Sequence, residues 1–139
     1  MINILFLCVA NSSRSQMAEG LGRELLTDIA HVSSAGSQPS KINPLAIEVL
    51  KEIGIDISHQ KSKSVDSIDK EKIDMVITLC AEEICPLFSG NVKLLHWPLP
   101  DPANPKYSSN EQLELFRYVR DDLKKKIQVL HEEMKSWKK

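Results

Sequence analysis

Short apolar runs alternate with amphipathic stretches along the 139 residues. Asn3 to Leu7 reads as a buried strand, since apolar residues on both of its faces suit the interior of a parallel sheet. Helical spacing follows from Ser15 to about Ile29. His31 to Ser34 forms a second strand closed by Ala35-Gly36, and a loop through Pro39 leads to Asn43-Pro44. That pair predicts a helix start, with proline in the first turn, and Gly54 predicts its end. Ile73 to Leu79 is a β-branched run, and Val92 to His96 makes a further strand. Pro98, Pro100, Pro102 and Pro105 then impose a long irregular loop. Leu113, Phe116, Val119, Leu123, Ile127, Leu130 and Met134 recur at helical intervals, predicting one long amphipathic helix from about Asn110 to Lys135.

Four strands joined by crossover helices predict an α/β fold: a single domain over residues 1–139, built as a doubly wound four-stranded parallel sheet flanked by helices. In such sheets a ligand binds outside the carboxyl ends of the strands, where the strand order reverses. Cys8 stands at the end of the first predicted strand and Cys80 at the end of the third. Neighbouring strands lie about 4.8 Å apart, and disulfides need Cα atoms about 4.4–6.8 Å apart. If these two strands are neighbours, the two thiols can meet with modest backbone movement.

Composition narrows the function. Eighteen basic against nineteen acidic residues leave a net charge of −1, and aromatic residues are 5% of the chain. A nucleic-acid partner would want a basic, aromatic-studded face, so none is expected. The lysines near the end (Lys124, Lys125, Lys126, Lys135, Lys138, Lys139) alternate with acids and apolar residues and read as a solvated helix face. The apolar start, Ile4 to Ala10, lacks the basic flank of a signal peptide, and no run approaches about 18 apolar residues. A cytoplasmic monomer without membrane contact is expected. Three cysteines cannot all pair within one chain, and reducing conditions disfavour structural disulfides.

Cys8-Val9-Ala10-Asn11-Ser12-Ser13-Arg14-Ser15 joins the first strand to the first helix. The loop's N–H groups, the helix N-terminus and the Arg14 fork together suit a tetrahedral dianion. A thiol over that cradle ionises readily and becomes a nucleophile. The spacing alone fits equally a buried thiol and a surface arginine. The small and polar residues between them favour the cradle, and Ser15 suits a helix start.

Cys80 and Cys85 admit three readings: ordinary buried thiols, metal ligands with His96, or a redox pair working with Cys8. A lone distant histidine makes the metal signal weak, and no metal or cofactor is expected. His31, His59, His96 and His131 have no ligand spacing, and Trp97 and Trp137 read as packing residues. Residues five apart on a helix are separated by about 7.5 Å along the axis, beyond disulfide reach. If 80–85 is helical when reduced, pairing requires it to loop out, and a mobile segment is expected.

The stretch from Cys8 to Gly20 resembles the nucleophile loop of low-molecular-weight tyrosine phosphatases and thioredoxin-coupled arsenate reductases. Ser34-Ala-Gly36, Asn43-Pro44, Asp56-Ile-Ser58, Thr78-Leu-Cys80 and Trp97-Pro-Leu-Pro-Asp101-Pro102 extend the resemblance over most of the chain. The Cys80 and Cys85 pair and Ser-Gln-Met-Ala-Glu-Gly point to the reductases. Gln16 stands where the phosphatases carry proline, and Ala103-Asn104 where tyrosines follow their Asp-Pro.

The resemblance implies that Cys8 attacks arsenate held by the loop amides and Arg14, with Asp101 as general acid/base. It implies next a Cys8 to Cys80 disulfide with release of arsenite, and then a Cys80 to Cys85 disulfide reduced by thioredoxin. Phosphate or sulfate would compete for the same loop. Asn11 would fix the loop and Ser15 would hydrogen-bond the thiolate. Two alternatives share these residues: a phosphatase acting through cysteinyl-phosphate, and a non-catalytic oxyanion-binding or redox-sensing module.

The chain departs from its relatives in three places. Four residues separate the redox cysteines, fewer than is usual, and Ser13 replaces a cysteine found in many relatives. Some relatives hold a potassium ion near positions matching Asn11, Glu19 and Ser34, with an acid where this chain has Lys63. A lysine there argues against a cation. Its ammonium can stand in for the ion, but the reading adopted is a solvated surface lysine.

Overall fold

The computed structural model describes residues 1–81 and 92–137. Cys85, Lys138, Lys139, the looping-out expected of 80–85 and the packing expected of Trp137 lie outside what is described.

The described residues form strands β1 (Ile2–Cys8), β2 (Ala30–Gly36), β3 (Met75–Thr78) and β4 (Lys93–His96), and helices α1 (Arg14–Leu25), α2 (Pro44–Lys51) and α3 (Ser109–Trp137). All strand pairs are parallel and the sheet order is β2-β1-β3-β4. From β1 the chain moves one way to β2, then crosses back to the other side for β3. The reversal falls at the carboxyl end of β1, where Cys8 pairs with Gly36 of β2. Leu7 lies opposite Thr78 of β3, so the two cysteine-bearing strands are neighbours, as the loop argument required.

Alternation along β1 distributes its side chains between two cores. Ile4 and Phe6 join the larger cluster with residues of α1, α2 and α3, while Leu5 and Leu7 join Ala35, Ile73 and Val76 on the opposite face. With both faces covered, the strand carries no apolar-polar alternation. The predicted stripe of α3 is buried from Phe116 to Met134, and Leu113 packs at its edge. Each fully buried leucine, isoleucine or phenylalanine contributes about 1.5–3 kcal/mol relative to exposure, so this stripe anchors the helix. Trp97 packs on Phe6 with ring centroids 6.3 Å apart, as expected of it.

Several boundaries move. α1 stops at Leu25 rather than near Ile29. Thr27 and Asp28 are poor helix-interior residues, and the chain turns there with Ile29 N–H donating to the Leu26 carbonyl at 3.0 Å. β2 gains residues at both ends because β1 offers it seven paired positions. β3 is shorter than Ile73 to Leu79, since Ile73 N–H still closes the preceding 3-10 turn on the Lys70 carbonyl at 3.3 Å. That turn (Lys70–Lys72) and another (Val65–Ser67) were not anticipated. α2 begins as expected, with Asn43 Oδ1 accepting the Leu45 N–H at 2.9 Å, and its end leads to Gly54 at φ 82°.

No helix among the described residues is long and apolar enough to cross a membrane.

Candidate active site

The loop from Val9 to Ser13 wraps a hollow of about 200 Å³ lined by Cys8, the loop residues, Arg14, Asp101 and Ala103. Its carbonyls are tied down from outside. Val9 accepts the Gln38 N–H at 2.9 Å, Ala10 accepts the Ser40 N–H at 3.2 Å and the Ser62 hydroxyl at 3.0 Å, and Ser12 accepts the Asn43 N–H at 2.9 Å. With the carbonyls anchored outward, the loop is built to present amide hydrogens toward the hollow. Gly36 makes the close packing possible: a Cβ there would sit 2.3 Å from the Val9 carbonyl oxygen.

Asn11 is the turning point, with φ 49° in the left-handed region that asparagine tolerates. Its Oδ1 accepts the Lys63 N–H at 2.8 Å and Gln16 Nε2 at 3.0 Å, and its Nδ2 donates to Ser15 Oγ at 2.8 Å. The helix starts at Arg14 with Ser13 as N-cap, and Ser13 makes no capping bond. Ser15 lies in the helix's first turn, at the start expected, and is not its cap. It is wholly buried and belongs to the loop's own network.

Arg14 is 5% exposed, and its Nη1 donates to the Leu99 carbonyl at 2.9 Å. This bond ties the loop after Cys8 to the proline-rich segment. That segment is itself tied to β3, since Trp97 N–H donates to the Thr78 carbonyl at 2.8 Å and Leu99 N–H to the Leu79 carbonyl at 3.1 Å. Asp101 follows at the wall of the hollow, its Oδ1 accepting the Ala103 N–H at 3.0 Å.

Cys8 and Cys80 are 4% and 2% exposed, with their sulfurs 4.0 Å apart. Cys8 carries a thiol and Cys80 is disulfide-bonded. Thus Cys8, Arg14, Asp101 and residues 9–13 surround one hollow, and the Cys80 sulfur lies against that of Cys8. Among the described residues no three His, Cys, Asp or Glu side chains could hold a metal ion together.

Lys63 is not the solvated lysine expected. Its Nζ lies 3.3 Å from Glu19 Oε1, which also accepts the Ser34 hydroxyl at 2.6 Å, while Arg23 Nη2 pairs with Glu19 Oε2 at 2.7 Å. Glu19 sits deep in the fold, and burial of a carboxylate demands such partners. Gln60 and Ser62, which the sequence reading passed over, also brace the loop.

Residues 3–139 match the low molecular weight phosphotyrosine protein phosphatase family. The chain belongs to that family. It is 44% identical over 131 residues to an arsenate reductase of Halalkalibacterium halodurans, covering 93% of this chain and 94% of the relative. An arsenate reductase of Staphylococcus xylosus is 45% identical over 127 residues, covering 90% and 92%. Among solved structures, an arsenate reductase in its oxidized state superposes with a TM-score of 0.81 at 35% identity, covering 96% of this chain and 98% of that one.

Proposed function

We propose that the protein reduces arsenate to arsenite through three thiols and is regenerated by thioredoxin. The observation that carries this reading is the 4.0 Å approach of the Cys80 sulfur to Cys8 at the hollow's edge. A phosphatase of this fold needs the hollow, Arg14 and Asp101, and has no use for that second sulfur. Similarity to proteins named arsenate reductases over nine-tenths of the chain supports the same reading.

The Cys8 thiolate attacks arsenic, and one arsenate hydroxyl leaves as water after taking a proton from Asp101. Amide hydrogens of the loop and Arg14 hold the remaining oxygens and the charge that develops on them. Cys80 then attacks the Cys8 sulfur. The sulfur–arsenic bond breaks with its electron pair on arsenic, which falls from As(V) to As(III) and departs as arsenite, leaving a Cys8 to Cys80 disulfide. The sulfurs must close by about 2 Å to reach disulfide length. Cys85 next attacks Cys80, and Cys8 leaves as thiolate. The Cys80 to Cys85 disulfide passes its oxidation to the thioredoxin dithiol by two further exchanges. The disulfide-bonded state of Cys80 beside a Cys8 thiol is compatible with the end of this sequence.

The test is arsenate-dependent NADPH oxidation in the presence of thioredoxin and thioredoxin reductase, with aryl phosphate hydrolysis measured alongside. Cys80→Ser and Cys85→Ser should each lose multiple turnover while ester hydrolysis survives. Unchanged arsenate turnover in both variants would sink the relay.

A further inference from the structure

Trp97-Pro98-Leu99-Pro100 leaves β4 and joins the two segments that carry Cys8 and Cys80. Proline has no N–H, so Trp97 and Leu99 hold the only backbone donors of these four residues. Both donors are committed to the chain leading into Cys80. Trp97 N–H donates to the Thr78 carbonyl at 2.8 Å, and Leu99 N–H to the Leu79 carbonyl at 3.1 Å. Two further attachments run to the Cys8 side. The Leu99 carbonyl accepts Arg14 Nη1 at 2.9 Å, and the Trp97 ring packs on Phe6 of β1 with centroids 6.3 Å apart.

The stiffness of this strap is written in the sequence. A residue that precedes proline is biased to extended backbone, and Trp97 and Leu99 each precede one. Leu99 is 2% exposed, its side chain fixed in the larger core. Its backbone is therefore a short bridge: the N–H holds the residue before Cys80, and the carbonyl holds the arginine that ends the Cys8 loop. Across this bridge the Cys80 sulfur lies 4.0 Å from that of Cys8 although Cys80 is disulfide-bonded and Cys8 is a thiol.

We propose that Leu99, held extended by Pro98 and Pro100, positions the second step of the reaction: its backbone keeps Cys80 against Cys8 while the bonding partner of Cys80 changes. The inference rests on the proposed relay. Leu99 does not line the hollow, and it acts through its two backbone bonds. It is a positioning residue, and Pro98 and Pro100 serve it by limiting how far the peptide can drift. Holding two reacting groups at short range raises their effective concentration, and freedom in the support lowers it.

The experiment equilibrates the Cys85→Ser chain, where Cys8 and Cys80 are the remaining thiols, with glutathione redox buffers below the unfolding temperature. The disulfide fraction gives the effective concentration of the two thiols. Leu99→Pro removes the N–H given to Leu79 and keeps the carbonyl, and should lower that concentration about tenfold. Pro98→Ala/Pro100→Ala keeps both bonds but frees the backbone, and should lower it about threefold. Leu99→Ala loses the buried side chain and keeps both bonds, so thermal stability should fall while the effective concentration stays within about twofold of the parent. An equal loss in Leu99→Ala and Leu99→Pro would mean core packing, and would overturn the proposal. So would an effective concentration unmoved in the double proline variant, which decides alone should Leu99→Pro fail to fold. Iodoacetamide alkylation of Cys8 in the Cys80→Ser/Cys85→Ser chain should be the same with and without the proline substitutions. A parallel fall there would place the effect on Cys8 itself and overturn the proposal as well. Arsenate enters neither measurement: the predicted losses without arsenite formation would sink the relay alone, and an unmoved effective concentration leaves the relay standing.

Discussion

Two arginine-centred clusters in this molecule use the same chemical groups to different ends. Beneath the Val9–Ser13 loop, Arg23, Glu19 and Lys63 are joined to buried amides and to the backbone of residues 60–63. Between α2 and α3, Glu52 receives Arg117 Nη2 and Arg120 Nη1 at 2.7 Å each, with Glu52 and Arg117 about one-third exposed. The second cluster ties two helices together, with Arg120 11% exposed and Glu52 and Arg117 open to solvent, as Arg23 is in the first. The first holds donors and acceptors in a fixed direction. Exposed pairs contribute about 0–1 kcal/mol, whereas an orphaned buried polar group costs about 1–3 kcal/mol. Direction matters at the loop under the proposed function, because a bound oxyanion would read where hydrogens point.

The largest effect separating the two should come from Asn11→Gly. Glycine keeps the left-handed backbone and removes the amide that fixes the loop, so arsenate turnover should fall about 100-fold and stability should drop by about 1–3 kcal/mol, because the Lys63 N–H and the buried Ser15 hydroxyl lose their partner. A variant that loses stability but keeps turnover would erase the contrast. Next in size, Arg120→Met should cost about 1–3 kcal/mol in chemical denaturation and leave turnover at the wild-type rate, because the Val49 carbonyl and Glu52 both lose a buried donor.

A smaller, pH-dependent effect belongs to Glu52. The hydrogen bond from Arg117 holds its carboxyl below the ordinary 4.5, against the opposing pull of burial, and Arg120 adds to the lowering. A depressed carboxyl stabilises the fold above its unfolded value and loses that contribution as pH falls through the folded value. Glu52→Gln should therefore flatten the acid side of the stability profile below about 4.5 and leave it nearly parallel to wild type at neutral pH. Denaturation midpoints at several pH values read this directly. The smallest effect is Arg117→Met, a slight loss of stability at most, since its pairs are open to salt and water.

The split between what sequence reveals and what it hides follows the same contrast. The strands of the sheet and the stripe from Phe116 to Met134 were legible because each is written in local periodicity. The Cys8 to Arg14 loop was legible because its residues are contiguous. The meeting of Cys8 and Cys80 was legible only on the condition that their strands be neighbours, which β1 and β3 are. By contrast, Gln60 and Gln16 lie 44 residues apart, and Lys63 and Asn11 52 apart. No local pattern marks such partners, and Lys63 was accordingly misread as solvated. The 3-10 turns escaped for another reason: three residues carry no period. Their caps, Ser64 and Asp69, accept N–H bonds two residues on, a feature common to many turns.

The central claim is that arsenate is reduced at the expense of protein thiols, and a single turnover without thioredoxin tests it most directly. The fully reduced protein, with its three cysteines, is mixed with one equivalent of arsenate and its thiols are counted after denaturation. The account predicts one arsenite, the loss of two thiols, and peptide maps linking Cys80 to Cys85. Retention of all three thiols with no arsenite formed, while phosphate esters are hydrolysed, would contradict it.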